Sequence, residues 1–342
     1  MTSGTDLRRA RVAQTSDSYR VVGIPQGLHG DAQRGSAGPC WDLIYRRLRG
    51  SMSSIGTFFP STDDPQRQAD VAVVMPTIGR AVLGRALTSI FDQDHPGSIQ
   101  VLLGFDQPCE ISDSLRSIIQ SKPDRISVLL MQLPYSTSVR HGGVHMATDG
   151  GATRSILSFM ANSSYVAYLD DDNEWERSHL RLLLGAVVGK AWAFGQRMLI
   201  DEITQQPMCV DRWDSVGPYR GRFADRGGLV DTNCILVDKT IVGARLGCWS
   251  QTPTGQPSPE ADRNFFASIK DEPFGEVAEV TVRYGVRYTN KLFDFFEQTL
   301  PPADAAALRR RRLQWQEAKG RTPAGIQPHL AAPDMPGPLT SL

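Results

Sequence analysis

Between residues 71 and 169, short apolar runs alternate with segments whose apolar residues recur at helical spacing. "VAVVMP" at 71–76 is apolar without a break, the pattern of a strand covered on both faces. In "RAVLGRALTSIFDQ" (80–93), Leu83, Ala86, Leu87, Ile90 and Phe91 fall on one side of a helix. "IQVLLGFD" (99–106) predicts the next buried strand, and "SDSLRSIIQS" the next helix with Ser112 as its N-cap. A third strand "ISVLLMQL", a long glycine-rich connection, a helix near 152–162 and a fourth strand "YVAYL" follow. This alternation predicts an α/β domain with a Rossmann-like, mostly parallel sheet flanked by helices.

Beyond residue 180 the pattern is less regular. "GKAWAFGQRMLID" predicts a strand-pair region, "GGLVDTNCILVDK" a strand with a turn, and "EADRNFFASIK" a helix. "EVAEVTVRYGVRY" alternates at period two and predicts a final strand. Residues 1–68, rich in Ser, Gly, Arg and Gln, are expected to form a largely disordered or irregular extension. Within them "CWDLIYRRLRGSM" has helical spacing, for a short helix packed on the main domain or lying on a membrane or partner. The main domain is expected over 69–300, regular over 69–180 and less regular over 181–300. A basic helix carrying Arg309 to Arg312 and a Pro-rich tail complete the chain over 301–342.

Composition narrows the field only slightly. The chain has 342 residues, with Lys plus Arg at 37 and Asp plus Glu at 37, so charge gives no reason to expect a nucleic-acid partner. Five scattered cysteines without a CxxC pair argue against a zinc ribbon and for reduced, cytosolic thiols. No apolar run approaches the roughly 20 residues of a membrane span, so membrane contact is expected to be peripheral at most, at the inner face.

The chemistry concentrates where "YVAYL" runs into "DDDNEW". Ligands of open α/β sheets bind beyond the carboxyl ends of the strands, and Asp106 and Asp170 to Asp172 all stand at such ends. Three adjacent carboxylates need positive charge nearby or open water. A hard divalent cation, Mn²⁺ or Mg²⁺, takes one or two carboxylates and fills its shell with substrate phosphates. A solvated turn or a helix N-terminus would also account for "DDDN". Smaller signals have similar alternatives. Trp175 suits a sugar face or the core; Asp231 to Asn233 suit a ligand contact or a turn. His141 and His145 have metal-pair spacing among glycines that disfavour a helix, and Arg283, Arg287 and Tyr288 are candidates to close over a diphosphate.

The ordered set "VAVVMPTIGR…LGRALTSIFDQ…VLLGFD" and "ATRSILSFMANSSYVAYLDDDNEW" resembles family 2 glycosyltransferases of the GT-A fold, well over residues 70–180 and loosely over 181–295. The resemblance implies transfer of a sugar (hexosyl in type) from a nucleotide-diphosphate donor, UDP-linked by preference, to a glycan, lipid-linked or small-molecule hydroxyl, with 69–180 the nucleotide-binding half and 181–300 the acceptor-binding half. It implies that Pro76 and Thr77 line the nucleotide pocket, that Asp106 reaches the base or ribose, and that Arg154 faces the nucleotide or its diphosphate. Asp170 and Asp172 would be the DxD pair, with Asp172 the direct metal ligand, Asp170 nearer the ribose, and Asp171 leaving the register open by one position. "PEADRNFF" matches the family's E-D-x-x-F element, making Asp262 the general base and Glu260 the alternate. A single base opposite the leaving group implies inversion. The chain departs from the family at "FDQP", which lacks a second acid, and at the long "STSVRHGGVHMATDGG". A catalytically silent GT-A scaffold is one rival. A sugar nucleotidyltransferase is another, although "MPTIGR" lacks that class's glycine-rich L-x-x-G-x-G-x-R loop after the first strand.

Overall fold

The computed structural model describes residues 56–61, 66–202, 205–286, 293–294, 298 and 302–320. The segment "CWDLIYRRLRGSM", Arg287, Tyr288 and the Pro-rich tail lie outside them.

The fold is mixed α/β, as the alternation predicts. The first half supplies β2 (Val71–Thr77), β3 (Ile99–Phe105), β4 (Ile126–Gln132) and β5 (Tyr165–Tyr168), which run parallel in the order β4-β3-β2-β5. All seven residues of β2 are buried, which is why its sequence shows no polar alternation. Helices α1 (Leu83–Phe91), α2 (Asp113–Gln120) and α3 (Gly151–Met160) make the crossovers. Ser112 caps α2 by accepting from the Leu115 N–H at 3.2 Å.

The sheet then continues through β11 (Ile235–Asp238), antiparallel to both β5 and β7 (Trp192–Asp201), and on to β12 (Phe274–Val286), parallel to β7 and paired on its other side with β6 (Glu174–Trp175). β9 (Gly217–Pro218) and β10 (Gly228–Leu229) form a separate antiparallel pair. The expected strand pair at 189–201 is mainly one ten-residue strand, β7, whose partner β8 (Pro207–Val210) lies beyond it. Helix α4 (His179–Val187) packs on this half, and α6 (Ala261–Ile269), which follows the four-residue α5 (Lys239–Val242), covers it near the cleft. Helix α7 (Pro302–Gly320) buries Ala305 and Leu308 and exposes Arg309 and Arg310.

The sheet also takes in a short strand from before residue 69: β1 (Gly56–Phe59) pairs antiparallel with β4 at the edge. "GTFF" is four residues long and only half-buried, so it carries no periodic signal. Cys109, Cys209, Cys234 and Cys248 are free thiols.

Two glycines set where α3 begins and how closely it packs. A Cβ on Gly104 of β3 would meet the Thr153 methyl at 2.6 Å, so its absence lets α3 lie directly on the sheet. Gly150, at φ 79°, turns the chain into α3 in a conformation that a side chain disfavours. Together they bring Thr153 and Arg154 to the carboxyl edge of β2 and β3.

Candidate active site

A cleft of about 340 Å³ opens at that edge, within the size range of small-molecule sites. Pro76, Thr77, Asp106, Arg154, Asp170, Asp171, Asp172 and Asp262 all line it, so residues far apart in sequence converge. Glu260 is not on its wall; it stands at the N-cap of α6 without a side-chain cap bond.

The three aspartates divide into separate environments. Asp171 is buried and accepts from Thr77 Oγ1 at 2.6 Å and Arg80 Nη1 at 3.0 Å. Burial raises its pKa, and Arg80 and Thr77 oppose the rise. Asp170 accepts from Arg154 Nη2 at 2.6 Å and Asn233 Nδ2 at 3.0 Å, while Asn233 Oδ1 receives the Asp170 N–H at 2.7 Å. Asp172 takes a bond from Arg80 on Oδ2, and its side chain keeps 24% exposure. The charge density that is hard to explain from sequence is thus balanced in part by protein: Arg80 spans Asp171 and Asp172, and Arg154 holds Asp170.

Arg154 is itself buried, 4.9 Å over the Trp249 ring, and its Nε has no hydrogen-bond partner. Burial works against its charge, but Asp170 and Asp149 hold its pKa up. Asp106 is buried and heavily engaged: Oδ1 accepts from the Thr137 N–H at 3.1 Å, from Thr137 Oγ1, and from Thr153 Oγ1 at 2.9 Å. Its carboxylate therefore ties the 136–138 loop to α3 at the cleft wall.

Across the cleft, Asp262 sits in the first turn of α6, half-buried, with Oδ1 receiving the Arg263 N–H at 2.7 Å. Its pKa is pushed up to about 7, by desolvation first and then by Asp149 and Asp231. It is a first-turn residue of α6 and lines the cleft, while the N-cap position belongs to Glu260.

Several lining residues carried no decisive signal in the sequence. Arg80, Asp149 and Tyr284 belong to the wall, as does Asp231. Asp231 is held by Arg197, and Asn233 by the Asp231 carboxylate at 2.7 Å. Trp175 is core: it is 4% exposed, stacks on His179, and donates through Nε1 to the Asn233 carbonyl at 2.9 Å. Arg283 pairs with Glu176 at 3.7 Å and is not on the cleft wall. His141 lines the cleft in a short 3-10 turn that ends at Gly142, so it shares no helix face with His145.

Among the described residues, no group of three or more His, Cys, Asp or Glu side chains is placed to hold a metal ion unaided. The oxygens that would hold a hard cation are those of Asp172 at the rim, which take bonds from Arg80 and from Asn173 Nδ2 at 3.3 Å, with Asp170 two residues before it. No helix among the described residues is long and apolar enough to cross a membrane.

No family model matches the chain. Over 115 residues it is 30% identical to the succinoglycan biosynthesis protein ExoW of Rhizobium meliloti (strain 1021), which covers 33% of this chain. The chain matches about a third of that relative's length, 32%. Among solved structures, S. aureus TarS 1-349 in complex with UDP is similar at 13% identity and a TM-score of 0.47, covering 73% of this chain and 72% of that one. The complex of TarS 1-349 with UDP-GlcNAc has 12% identity and a TM-score of 0.42, covering 71% of each chain.

Proposed function

We propose that the chain is an inverting glycosyltransferase that moves a sugar from a nucleotide-diphosphate donor, UDP-linked by preference, to a hydroxyl of a glycan, lipid-linked or small-molecule acceptor. The observation that carries this is the meeting in one cleft of the strand-end aspartates, two arginines suited to a diphosphate, and Asp262 with a pKa near neutrality. The stretch of similarity to a protein named for succinoglycan biosynthesis supports a role in building a polysaccharide.

In this reading Pro76, Thr77 and Asp106 border the nucleoside, and Arg154 and Arg80 face the diphosphate. A Mn²⁺ or Mg²⁺ ion held by Asp172, with Asp170 beside it, would supply charge stabilisation for the departing diphosphate. The acceptor hydroxyl attacks the anomeric carbon from the side opposite the diphosphate. A new C–O bond forms as the bond to the diphosphate oxygen breaks, and the hydroxyl proton passes to the Asp262 carboxylate. A general base works best with a pKa near the working pH, and burial beside two other carboxylates gives Asp262 that property.

The test is release of nucleoside diphosphate from a panel of nucleotide sugars. One donor should be consumed by the wild-type chain, slowly with water and faster with the right hydroxyl, and Asp172→Ala should abolish its use. Turnover unchanged in Asp172→Ala would remove the strand-end aspartates from the chemistry. Pyrophosphate formation from a nucleoside triphosphate would indicate a nucleotidyltransferase instead.

A further inference from the structure

We infer that Arg80 is a built-in counter-ion that keeps a divalent cation off Asp172 until the donor's diphosphate draws the arginine away, so that cation and diphosphate bind cooperatively. The inference rests on the reading of the cleft as a metal and diphosphate site. A single nitrogen makes the contact: Arg80 Nη1 donates to Asp171 Oδ1 at 3.0 Å and to Asp172 Oδ2. Its Nε and Nη2 find no acceptor among the described residues, although the side chain lines the cleft. Asp172 Oδ2 is one of the oxygens a hard cation would use. An arginine on that oxygen opposes the cation twice, by occupying its place and by charge repulsion.

The groups around Arg80 are tied down by bonds that do not involve its side chain. Thr77 Oγ1 donates to Asp171 Oδ2 at 2.6 Å and accepts the Gly79 N–H at 2.9 Å, which fastens the turn after β2 to the buried carboxylate. Gly79 takes φ 78°, and a Cβ there would run into the Cys109 sulfur, so the turn needs this glycine. On the other side, Asn173 Nδ2 donates to Asp172 Oδ1 at 3.3 Å, and Asn173 Oδ1 receives the Gly285 N–H at 2.9 Å. Asp172 therefore keeps its bracing when Arg80 leaves.

Exposure decides which of the two arginine bonds gives way. The Asp171 side chain is 5% exposed and that of Asp172 24%, while Arg80 keeps 35%. Breaking an ion pair at a solvated rim costs little, whereas stripping a buried carboxylate of its partner costs much. Arg80 thus pivots on Asp171 and releases Asp172. Its unengaged N–H groups then meet diphosphate oxygens, which a guanidinium can bind in pairs. Without a diphosphate to receive it, Arg80 stays on Asp172, and the cation meets a carboxylate that is already neutralised.

The test counts free Mn²⁺ by electron paramagnetic resonance as the full chain is titrated with MnCl₂, with and without UDP. Uptake by UDP alone is subtracted from a protein-free titration. Without UDP, Arg80→Ala should bind Mn²⁺ about tenfold more tightly than the wild type, because the competing charge is gone. UDP should tighten Mn²⁺ binding by about tenfold or more in the wild type and by a smaller factor in Arg80→Ala. Arg80→Gln, which can still donate to Asp171 but carries no charge, should show the same gain and serves if Arg80→Ala does not fold. Arg85→Ala removes a charge from α1 that pairs with Glu174 at 3.6 Å, and its UDP-free affinity should stay within about twofold of the wild type. Equal UDP-free affinities in the wild type and a folded Arg80 variant, or the same gain in Arg85→Ala, overturn the exchange. If the wild type with UDP takes up no Mn²⁺ beyond the nucleotide's own share, the metal reading of the cleft fails and this inference with it. If it does take up Mn²⁺ and the Arg80 variants gain nothing, the exchange alone fails.

Discussion

Asp262→Asn should lower turnover by about 10²- to 10⁴-fold, the usual contribution of a positioned general base. Donor binding should change little, because the two arginines proposed to face the diphosphate, Arg80 and Arg154, are held by Asp170, Asp171 and Asp172. The variant therefore separates kcat from KM: a loss confined to kcat is expected, measured as nucleoside diphosphate release at saturating donor and acceptor. The pH dependence has a definite sign. Asp262 must be ionised to accept a proton, and its pKa is raised to about 7, so wild-type rate should climb as pH rises through that value and level off above it. In Asp262→Asn the climb should vanish along with most of the rate. A variant that retains the limb at full height would place the base elsewhere.

The second large effect is on stability. Arg197 is 2% exposed and joins three carboxylates: its Nε donates to Asp211 at 2.8 Å, Nη1 to Asp231 at 2.7 Å and Nη2 to Asp214 at 3.2 Å. The Tyr284 ring lies 4.1 Å from its guanidinium. The partners respond differently, for physical reasons. Burial works against the Asp211 charge, but Arg197 and three backbone N–H groups outweigh it and hold the carboxyl low, whereas burial and nearby Asp170 leave Asp231 raised despite Arg197. Removing the cation leaves buried negative charges without their partner. Arg197→Ala should therefore cost about 3–5 kcal/mol of folding stability, read from urea unfolding. Asp231 and Tyr284 both line the cleft, so any folded fraction should also bind donor or acceptor more weakly. A loss under about 1 kcal/mol would mean that the cluster is hydrated and structurally dispensable.

Much of this arrangement was legible in the sequence because it depends on local patterns. Uninterrupted apolar runs mark β2 and β3, and acids follow β3 and β5 at the sheet edge where ligands bind. That reasoning puts Asp106 and Asp170 to Asp172 on one edge, and all four line one cleft. Less legible was what depends on pairing across long separations. Arg80 reads as an ordinary residue opening a helix, and its ion pairs with Asp171 and Asp172 span 91 and 92 positions. Asp149 lies in a glycine-rich connection whose course is set by bonds to Ser258, which no periodicity encodes. Trp175 suited a sugar face or, by a small margin, the core, and burial decided for the core. β1 was missed because four half-buried edge residues produce no pattern to read.

Whether the aspartate cleft binds a nucleoside diphosphate together with a metal is decided by thermal stability against a panel of nucleoside diphosphates, with and without Mn²⁺. A ligand that binds only the folded chain at 100 times its Kd adds roughly 2.7 kcal/mol. The account predicts that one nucleotide, a uridine diphosphate by preference, raises Tm when Mn²⁺ is present, and that Asp172→Ala loses the rise. If no nucleotide stabilises the wild-type chain, or if Asp172→Ala responds as the wild type does, the three aspartates are a solvated turn and the glycosyltransferase reading is wrong.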